Sequence, residues 1–527
     1  MEDADMGEGL LRYCQTKLKK EYKFAFVVTF LITLLIHLYK FANTLPNQDS
    51  VYCYYSNLNI IGLGRWALSA ACGISSFYDL PWVIGLMSCL FISLTVVVIV
   101  ALLRLKNPVL IGLTGALLAS APGTTETFFY MFTADGYMIA MFLAALGVYF
   151  TRIEEGRWTH WVLGGVCLCV SCGIYQSYVS FGLILAICYF IDDLFRSGHS
   201  KQESLKWVLR QAVLYAVSLA VYYVIWKLCL RFSGTEAKEY LGISEVGKLN
   251  AGMITGGLIG AVKATVLYFL QWNPLEHGFT PYTVLNLFFL ALTLFGLVAA
   301  VVKSGILQRK WAVALLILCL VAIMPFACVW GFTSEDLIFR PMMLQCLVLL
   351  YLLGALLCEQ WTKPSVKNAM GILLAVVVFN NALMANICYF HMQLAYERTY
   401  ADGVEIMMEI HDLQDEYEFD KIAVVGTRIL DVKHETVDPE TGWMEPVGKL
   451  HMLVILLNKT LLFDSDHTTK FLQANFNLEL EPVDRPTRDA LMKSDQVQQM
   501  GCWPAGDSVA VIGDTLVIKM SNTEEFN

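Results

Sequence analysis

Charged residues are scarce in this chain. Of its 527 residues only 16% are Asp, Glu, Lys or Arg, whereas 57% are hydrophobic, and the mean hydropathy is +0.56. Soluble globular domains typically carry about 25% charged residues. A water-soluble core of this size cannot bury so much apolar surface, so the composition excludes an ordinary soluble enzyme and a disordered chain.

The charges that are present divide the chain in two. Residues 395–527 hold 11 Lys and Arg against 25 Asp and Glu, whereas residues 1–394 hold 26 against 21. A nucleic-acid partner would require a basic surface domain, and the sequence has none, so we predict no nucleic-acid binding. The pattern indicates a slightly basic, apolar body followed by an acidic, water-exposed tail.

Several chemical motifs are also missing. The Gly-rich residues 252–260 lack the Lys-Ser/Thr of a phosphate-binding loop. Most of the 15 Cys lie in apolar runs without zinc-site spacing, and we interpret them as small packing residues. A disulfide between Cys53 and Cys72 stays open. His37 lies in the first apolar run, where a hydrogen-bonded interior histidine is favoured over a metal ligand.

Long apolar runs are what the sequence has in abundance. A bilayer-spanning helix needs about 17–25 such residues. We predict eleven spans, at 24–42, 82–103, 107–122, 135–151, 160–176, 178–194, 207–230, 282–302, 311–330, 341–358 and 368–390. Segment 250–271 is ambiguous: it is either a further span or a re-entrant or interfacial segment.

Charge in the loops predicts the orientation. With eleven spans, 18 Lys and Arg fall on one side and seven on the other. The positive-inside rule then predicts a multi-pass cell-membrane protein (plasma or inner membrane) with a cytoplasmic N-terminus and an extracytoplasmic C-terminus. We expect three parts: residues 1–23 in the cytoplasm, a membrane domain at 24–394 with large outer loops 43–81 and 231–281, and an outer α/β domain at 395–527.

The tail has the pattern of a small α/β domain. Residues 394–416 are compatible with a helix, and runs 421–425, 508–512 and 515–519 are typical of strands. Gly513-Asp514 separates the last two runs and predicts a hairpin turn.

The candidate functional residues collect on the predicted outer side. Loop 43–81 contains Asp49, Asp79 and the run Gly64-Arg65-Trp66, and residues 122–137, predicted as a polar loop, contain Glu126 and Asp135. A carboxylate here can take the proton of a sugar hydroxyl. Alternatively Asp49 caps a turn in a solvated loop, and Asp135 stabilises the first turn of a helix.

Two further elements are polar breaks between spans. Tyr175 and Gln176 can hydrogen-bond a sugar, or they form a tight interfacial turn with an anchoring tyrosine. Glu335, Asp336 and Arg340 lie at a predicted outer mouth, where the guanidinium suits phosphate recognition or pairs internally with the acids.

The order of these elements resembles a known family. An outer loop with Asn47 and Asp49 leads into Gly64-Arg65-Trp66. A Phe-Thr-x-Asp-x-Tyr element (132–137) then opens a later span, and Tyr175-Gln176 follows it. The chain closes on a strand hairpin. This arrangement resembles the bacterial O-antigen-type glucosyltransferases (Gtr type II), a group of C-type (GT-C) membrane glycosyltransferases. The resemblance covers roughly residues 20–520.

The resemblance implies a function. Such enzymes transfer a hexose, usually glucose, from a polyprenyl-phosphate donor in the outer leaflet to a hydroxyl of a surface polysaccharide or lipid-linked glycan. It implies Asp49 as general base and Asp135 as an orienting acid. Substrate contacts would come from Arg65, Trp66, Tyr175, Gln176, Glu335, Asp336 and Arg340, with both arginines at the donor phosphate.

This sequence departs from the family pattern at one point. Paired acids are expected in the first outer loop, but Gln48 precedes Asp49. Asp79 or Asp135 therefore remain alternatives for the base. We predict no cofactor, and a divalent metal stays open. Two other functions compete with transfer: a lipid-linked-sugar flippase or transporter, and a polysaccharide polymerase or ligase.

Overall fold

The computed structural model describes residues 18–196, 198–238, 251–270, 281–332, 340–427 and 465–522. Within them the chain is mostly helical. The apolar helices, in chain order, are α1 (Lys20–Ala42), α2 (Leu68–Cys72), α3 (Pro81–Leu102), α4 (Pro108–Ser120), α5 (Pro122–Phe129), α6 (Met131–Phe150), α7 (Trp158–Ile174), α8 (Tyr178–Arg196), α9 (Lys201–Ser233), α10 (Ala251–Leu270), α11 (Pro281–Lys303), α12 (Lys310–Ala327), α13 (Val348–Trp361) and α14 (Pro364–Glu416).

Local sequence explains where several of these helices begin. Proline occupies the first turn of α3, α4, α5 and α14, where its missing N–H costs nothing. Asn107 caps α4 by accepting a hydrogen bond from the Val109 N–H. Ser200 and Glu203 form a capping box at the start of α9.

Eleven helical segments in the described ranges are long and apolar enough to cross a membrane. The protein is therefore a polytopic α-helical membrane protein, as the apolar runs predict. The set differs from the predicted one at two places: the 17-residue α7 is short for a span, and Gly252–Leu270 qualifies by length and composition.

The bundle has two distinct ends. At one end, which we call the basic end, connections between helices are tied together. The Arg309 guanidinium donates to the Leu194 carbonyl at 2.9 Å, and the Lys303 ammonium donates to the Trp361 carbonyl at 2.7 Å. Residues 43–80, the Tyr175–Ser177 break and the C-terminal sheet lie at the opposite end, which we call the sheet end.

Two hydrogen bonds locate the C-terminal ends of α9 and α10. Helix α9 ends at the sheet end, where the Lys238 N–H donates to the Gly62 carbonyl at 3.0 Å. The carbonyl of Leu270, the last residue of α10, accepts from the Thr283 hydroxyl near the start of α11, and α11 ends with Lys303 at the basic end. The last residue of α10 therefore lies at the sheet end, beside the start of α11. Helix α7 follows Glu154 at the basic end and reaches Tyr175 at the sheet end, so it runs from one end of the bundle to the other.

The polar loop expected at 122–137 is instead helical. Helices α5 and α6 occupy nearly all of it, and every residue of α5 is buried. The prediction of a polar loop at 122–137 was therefore wrong. Pro122 restarts a helix directly after α4, and the Thr124 and Thr127 hydroxyls of α5 donate to backbone carbonyls inside the bundle.

The C-terminal residues form a sheet unit on the end of α14. Strands β1 (Lys421–Val425), β2 (Glu481–Pro482), β3 (Val509–Ile512) and β4 (Thr515–Lys519) are ordered β2-β1-β4-β3, with helices α15 (Ser465–Phe476), α16 (Arg485–Met492) and α17 (Asp495–Gln499). Strand β1 pairs in parallel with β2 and β4, whereas β3 and β4 pair antiparallel across Gly513-Asp514. The predicted hairpin is confirmed.

The sheet unit is continuous with the bundle. Helix α14 runs unbroken for 53 residues, through the expected domain boundary at 394/395. Ile406 and Ile410 of α14 share one buried cluster with Ile422 of β1 and with Val51 of the first loop. The rings of Tyr52 and His467 lie 4.9 Å apart. The first loop is thereby held between the bundle and the sheet unit.

Candidate functional site

The loop that follows α1 is built from short 3₁₀ turns. Asn47 caps the turn Gln48–Tyr52 by accepting from the Asp49 and Ser50 N–H groups. A second turn, Ile61–Leu63, ends at Gly64, whose φ is +77°. A Cβ on Gly64 would lie 2.4 Å from the Tyr222 hydroxyl and 2.5 Å from the Gln176 amide nitrogen. Only glycine fits this bend, which aims the next residue into the bundle.

Arg65 lies against a stack of tyrosines. Its guanidinium donates to the Tyr137 hydroxyl at 2.8 Å and lies 4.9 Å from the centre of the Tyr175 ring. The two rings stack on each other with centroids 4.3 Å apart and an angle of 9° between planes. Three distant parts of the chain thus hold one cation in a fixed orientation on an aromatic surface.

Trp66 and Gln176 stabilise this arrangement through contacts with neighbouring segments. The Trp66 ring packs so closely on Gly173 that a Cβ there would lie 2.5 Å from it. The Gln176 amide donates to the Leu63 carbonyl at 2.6 Å and to the Tyr222 hydroxyl at 3.1 Å. Gln176 therefore braces the Gly64 bend, a contact that the sequence did not predict.

Arg340 belongs to a second cationic position at the same end. Its guanidinium donates to the Tyr130 hydroxyl at 2.9 Å. The fully buried Glu126 accepts from the Met342 N–H at 2.7 Å and lies within electrostatic range of Arg340 and of Tyr175. Its other oxygen, Oε1, is buried with no hydrogen-bond partner among the described residues. Glu126 thus lies near Arg340, and its charge reaches Tyr175, one of the two rings that hold Arg65.

Asp135 is interior as well. It lies in the second turn of α6, is 1% exposed, and accepts hydrogen bonds from the Ser75 hydroxyl and from the Gly136 N–H. The thiol of Cys72 is a further hydrogen-bonding neighbour. The expected position at the start of the span is therefore shifted by a turn, and Asp135 faces α2 and the loop that follows it.

Asp79 lies in the first loop, within electrostatic range of Asp135. Burial raises its pKa from 3.8 to about 6, while nearby Lys40 lowers the pKa in part and Asp135 raises it. Its Oδ1 atom is buried and has no hydrogen-bond partner in the part of the chain that the structure describes. Lys40 is 1% exposed and donates to the Leu45 carbonyl. Asp79 is therefore a carboxyl group that titrates close to neutral pH.

Asp49 has a different environment. It is exposed on the turn Gln48–Tyr52, on the side of the loop that packs against α15. Asp49 and Asp79 both lie within electrostatic range of the Cys53 thiol. Of the predicted site residues, Glu335 and Asp336 lie outside the described residues.

The described site is therefore a polar interior at the sheet end. It contains two held arginines, stacked tyrosines and buried carboxyl groups. Such an arrangement can bind an anion with its cations and accept a proton with a carboxylate. Glu126 is the member that sequence reasoning undervalued. The proline at position 122, which starts a new helix after α4, was the available signal that it is not in a loop.

Metal ligation has no obvious place here. No group of three or more His, Cys, Asp or Glu that could hold a metal ion occurs among the described residues. His37 bonds to the Tyr389 hydroxyl at 2.7 Å and to the Ala119 carbonyl at 2.9 Å, which confirms the interpretation as a satisfied interior histidine. Cys53 and Cys72 are both free thiols in the structure.

The fold and this buried polar interior define the class: a multi-spanning membrane protein with a small sheet unit on one end. Comparison with known families gives the identity. The model of the glucosyl transferase GtrII family matches residues 38–333, more than half of the chain. The chain belongs to this family, and it is therefore a glycosyltransferase. No curated protein and no solved structure matches the chain.

Proposed function

We propose that this glucosyltransferase takes glucose from a polyprenyl-phosphate donor and transfers it to a hydroxyl of a cell-surface polysaccharide or lipid-linked glycan, on the outer face of the membrane. The observation that carries the proposal is the position of Arg65. Its guanidinium is held on the Tyr137–Tyr175 stack, within a bundle of membrane helices. A phosphate that arrives on a lipid tail requires a cation at the membrane surface, and these residues supply one.

The donor phosphate is proposed to bind between Arg65 and Arg340. A guanidinium presents parallel N–H donors that match phosphate oxygens. The link through Glu126, which lies in electrostatic range of both Arg340 and Tyr175, supports a shared position. The half-buried Trp66 offers aromatic surface for the sugar and the first isoprene units, while the buried Tyr175 supports the Arg65 guanidinium. Gln176 would act here mainly by holding the Gly64 bend.

The chemical step needs one proton acceptor. The acceptor hydroxyl oxygen attacks the anomeric carbon of glucose, the bond from that carbon to the phosphate oxygen breaks, and the hydroxyl proton passes to a carboxylate. The lipid phosphate leaves with the electron pair of the broken bond, and the arginines stabilise its charge. Asp49 is our first candidate for the base, and Asp135 is the proposed orienting acid.

Asp79 is the alternative candidate for the general base. Asp49 is solvent-exposed, whereas Asp79 is half-buried, its Oδ1 atom has no hydrogen-bond partner among the described residues, and its pKa is raised to about 6. A general base works best when its pKa is close to the working pH. Asp79 is therefore the proposed base if Asp49 proves dispensable.

The outer-face assignment rests on charge. The sheet end contains the fewer basic loop residues, and the positive-inside rule places such an end outside the cytoplasm. In this proposal the N-terminus is cytoplasmic, and residues 395–527 form an extracytoplasmic domain. Its contact with the first loop, through Val51 and Tyr52, suits a role in admitting the acceptor to the site.

The test is sugar transfer by the purified full-length protein. Polyprenyl-phosphate-glucose is the donor, a surface glycan is the acceptor, and wild type is compared with Asp49→Asn, Asp79→Asn and Asp135→Asn. We expect wild type to release the lipid phosphate and glucosylate the glycan, and Asp49→Asn to abolish both. If Asp49→Asn stays active while Asp79→Asn is inactive, the base is Asp79.

The same preparation distinguishes transfer from transport. In proteoliposomes, labelled polyprenyl-phosphate-glucose that crosses the membrane without loss of its glucose would replace our proposal with a flippase. Joining of whole repeat units, rather than addition of a single hexose, would indicate a polymerase or ligase. Mass spectrometry of the product separates those two outcomes.

A further inference from the structure

A long groove lies between α7 and α9, and of the residues of the proposed reaction only Trp66 lines it, at one end. Its volume is about 1020 Å³, and its walls are mostly apolar. Gly165 forms part of its floor, where the Ser218 hydroxyl donates to the Gly165 carbonyl at 3.2 Å and brings the helices together. Val213, Val217 and Val221 of α9 are more than 40% exposed in it, so an apolar chain can lie against them.

The groove is asymmetric along its length. At the sheet end it reaches Trp66 and Ile225. At the basic end it is lined by Lys206 and Arg210, with the Arg210 guanidinium 5.5 Å from the centre of the Trp161 ring. Cations beside tryptophan are typical of the level at which a membrane meets water.

These two cations have no acidic partner in the described part of the chain. The neighbouring acids are engaged elsewhere: Glu155 pairs with His160 at 2.7 Å, and Glu203 accepts from the Ser200 N–H at 2.8 Å. Lys206 and Arg210 are both exposed. Two positive charges at the mouth of an apolar groove are complementary to an anionic headgroup with an acyl chain.

The donor's phosphate cannot occupy this position while the donor reacts. Fifteen residues of α9 separate Arg210 from Ile225, a distance of about 22 Å along the helix. Arg65, which precedes Trp66, lies at the far end of the groove. A phosphate at Lys206 therefore belongs to a second lipid in the opposite leaflet.

We propose that this groove binds an anionic phospholipid, with its phosphate at Lys206 and Arg210 and one acyl chain along Val213 and Val217. The chain would extend about half the groove, because one leaflet is about 15 Å thick. The lipid would fill the space between α7 and α9 from the basic end. The half near Trp66 stays open to the other leaflet.

The experiment measures which lipid stays with the full-length protein. The protein is reconstituted in nanodiscs of equal phosphatidylcholine and phosphatidylglycerol and then extracted in mild detergent, and bound lipid is counted by mass spectrometry. We expect wild type to retain phosphatidylglycerol selectively. Lys206→Gln with Arg210→Gln should weaken that retention by about 30-fold (about 2 kcal/mol), because each basic residue near an anionic headgroup contributes about 1 kcal/mol.

Two controls keep the result specific. Lys201→Gln with Lys310→Gln removes the same charge at the basic end outside the groove, and it should retain the lipid. Val213→Trp fills the groove at an exposed position, leaves both cations in place, and should reduce retention. Equal loss in the charge control, no selectivity in wild type, or full retention in the Lys206/Arg210 variant would each overturn the proposal. Displacement of phosphatidylglycerol by added polyprenyl phosphate would overturn it in favour of the donor lipid.

Discussion

The two ends of the helix bundle hold their acidic groups differently. At the basic end the acids have basic partners: Arg104 and Glu154 pair at the surface. Even the buried Asp192 and Asp193 contact Arg196 and His199 there, at 3.1 and 3.0 Å. At the sheet end, Glu126 and Asp135 are buried and Arg65 is fixed on stacked rings. Buried charges are costly in a membrane protein and mark functional positions, whereas exposed pairs add little to stability.

The largest expected effect comes from exchanging the cation on the tyrosine stack. Arg65→Lys keeps the charge but loses the planar fork that bonds Tyr137 and would bind phosphate. We expect kcat/KM for glucose transfer to fall by about 10²–10³-fold, the loss typical of removing one preorganised donor. Arg104→Lys, at the basic end, is the matched control and should keep near-wild-type transfer. Equal activities of the two variants would contradict the proposed role of Arg65.

Next comes the bend that positions Arg65. Gly64→Ala places a methyl group against Tyr222 and Gln176 in a backbone conformation that disfavours side chains. We expect the unfolding free energy to fall by about 2 kcal/mol or more, measured as a lowered thermal midpoint in detergent. Gly112→Ala is the control, since a Cβ there meets no atom within 4 Å. A wild-type midpoint for Gly64→Ala would show that the bend can shift at no cost.

Prediction from sequence succeeded where the signal was local. Apolar runs located the membrane helices, and Gly513-Asp514 located the hairpin between β3 and β4. The position of the last turn of α10 could not be read from its own residues, because it depends on the contact between Leu270 and Thr283 of the next helix. Strand β2 has two residues, too few to produce a pattern.

The site shows the same limit. Arg65, Tyr175 and Arg340 were identified as candidates from their positions next to apolar spans. Their partners were not predictable: Tyr137 is 72 residues from Arg65, and Tyr130 is 210 residues from Arg340. No local pattern records such pairs. The burial of Glu126 was also not predicted. A polar composition normally indicates a loop, whereas here the polar residues belong to a buried helix.

A smaller, pH-dependent effect distinguishes the carboxyl groups of the sheet end. The pKa of Asp79 is raised to about 6, mainly by burial. If its ionised form is the base, transfer should decline as the pH falls through 6, by about tenfold per unit below it. The pH profile of kcat/KM measures this. In that case Asp49→Asn stays active and should keep the inflection near pH 6, and an active Asp49→Asn variant without the inflection would exclude Asp79 as its origin.

The unfolding free energy should change with pH in the opposite direction to transfer activity. Because the folded pKa of Asp79 lies above its ordinary 3.8, the folded state holds the proton more tightly. That stabilisation is fully present below pH 3.8 and is lost as the pH rises through 6. Thermal midpoints between pH 4 and 7 should therefore fall less steeply in Asp79→Asn than in wild type.

The smallest effect is expected from an ion pair at the basic end. Arg104 and Glu154 are bonded, but their side chains are 59% and 39% exposed, so water competes with the pair and salt screens it. Arg104→Ala should lower the unfolding free energy by about 1 kcal/mol or less. Transfer should be unchanged. A double-mutant cycle with Glu154→Ala, measured from thermal unfolding at low and at high salt, isolates the pair itself. A coupling as large as the loss from Gly64→Ala would show that the basic end is as tightly specified as the sheet end, and the contrast between the two ends would then no longer explain where the function lies.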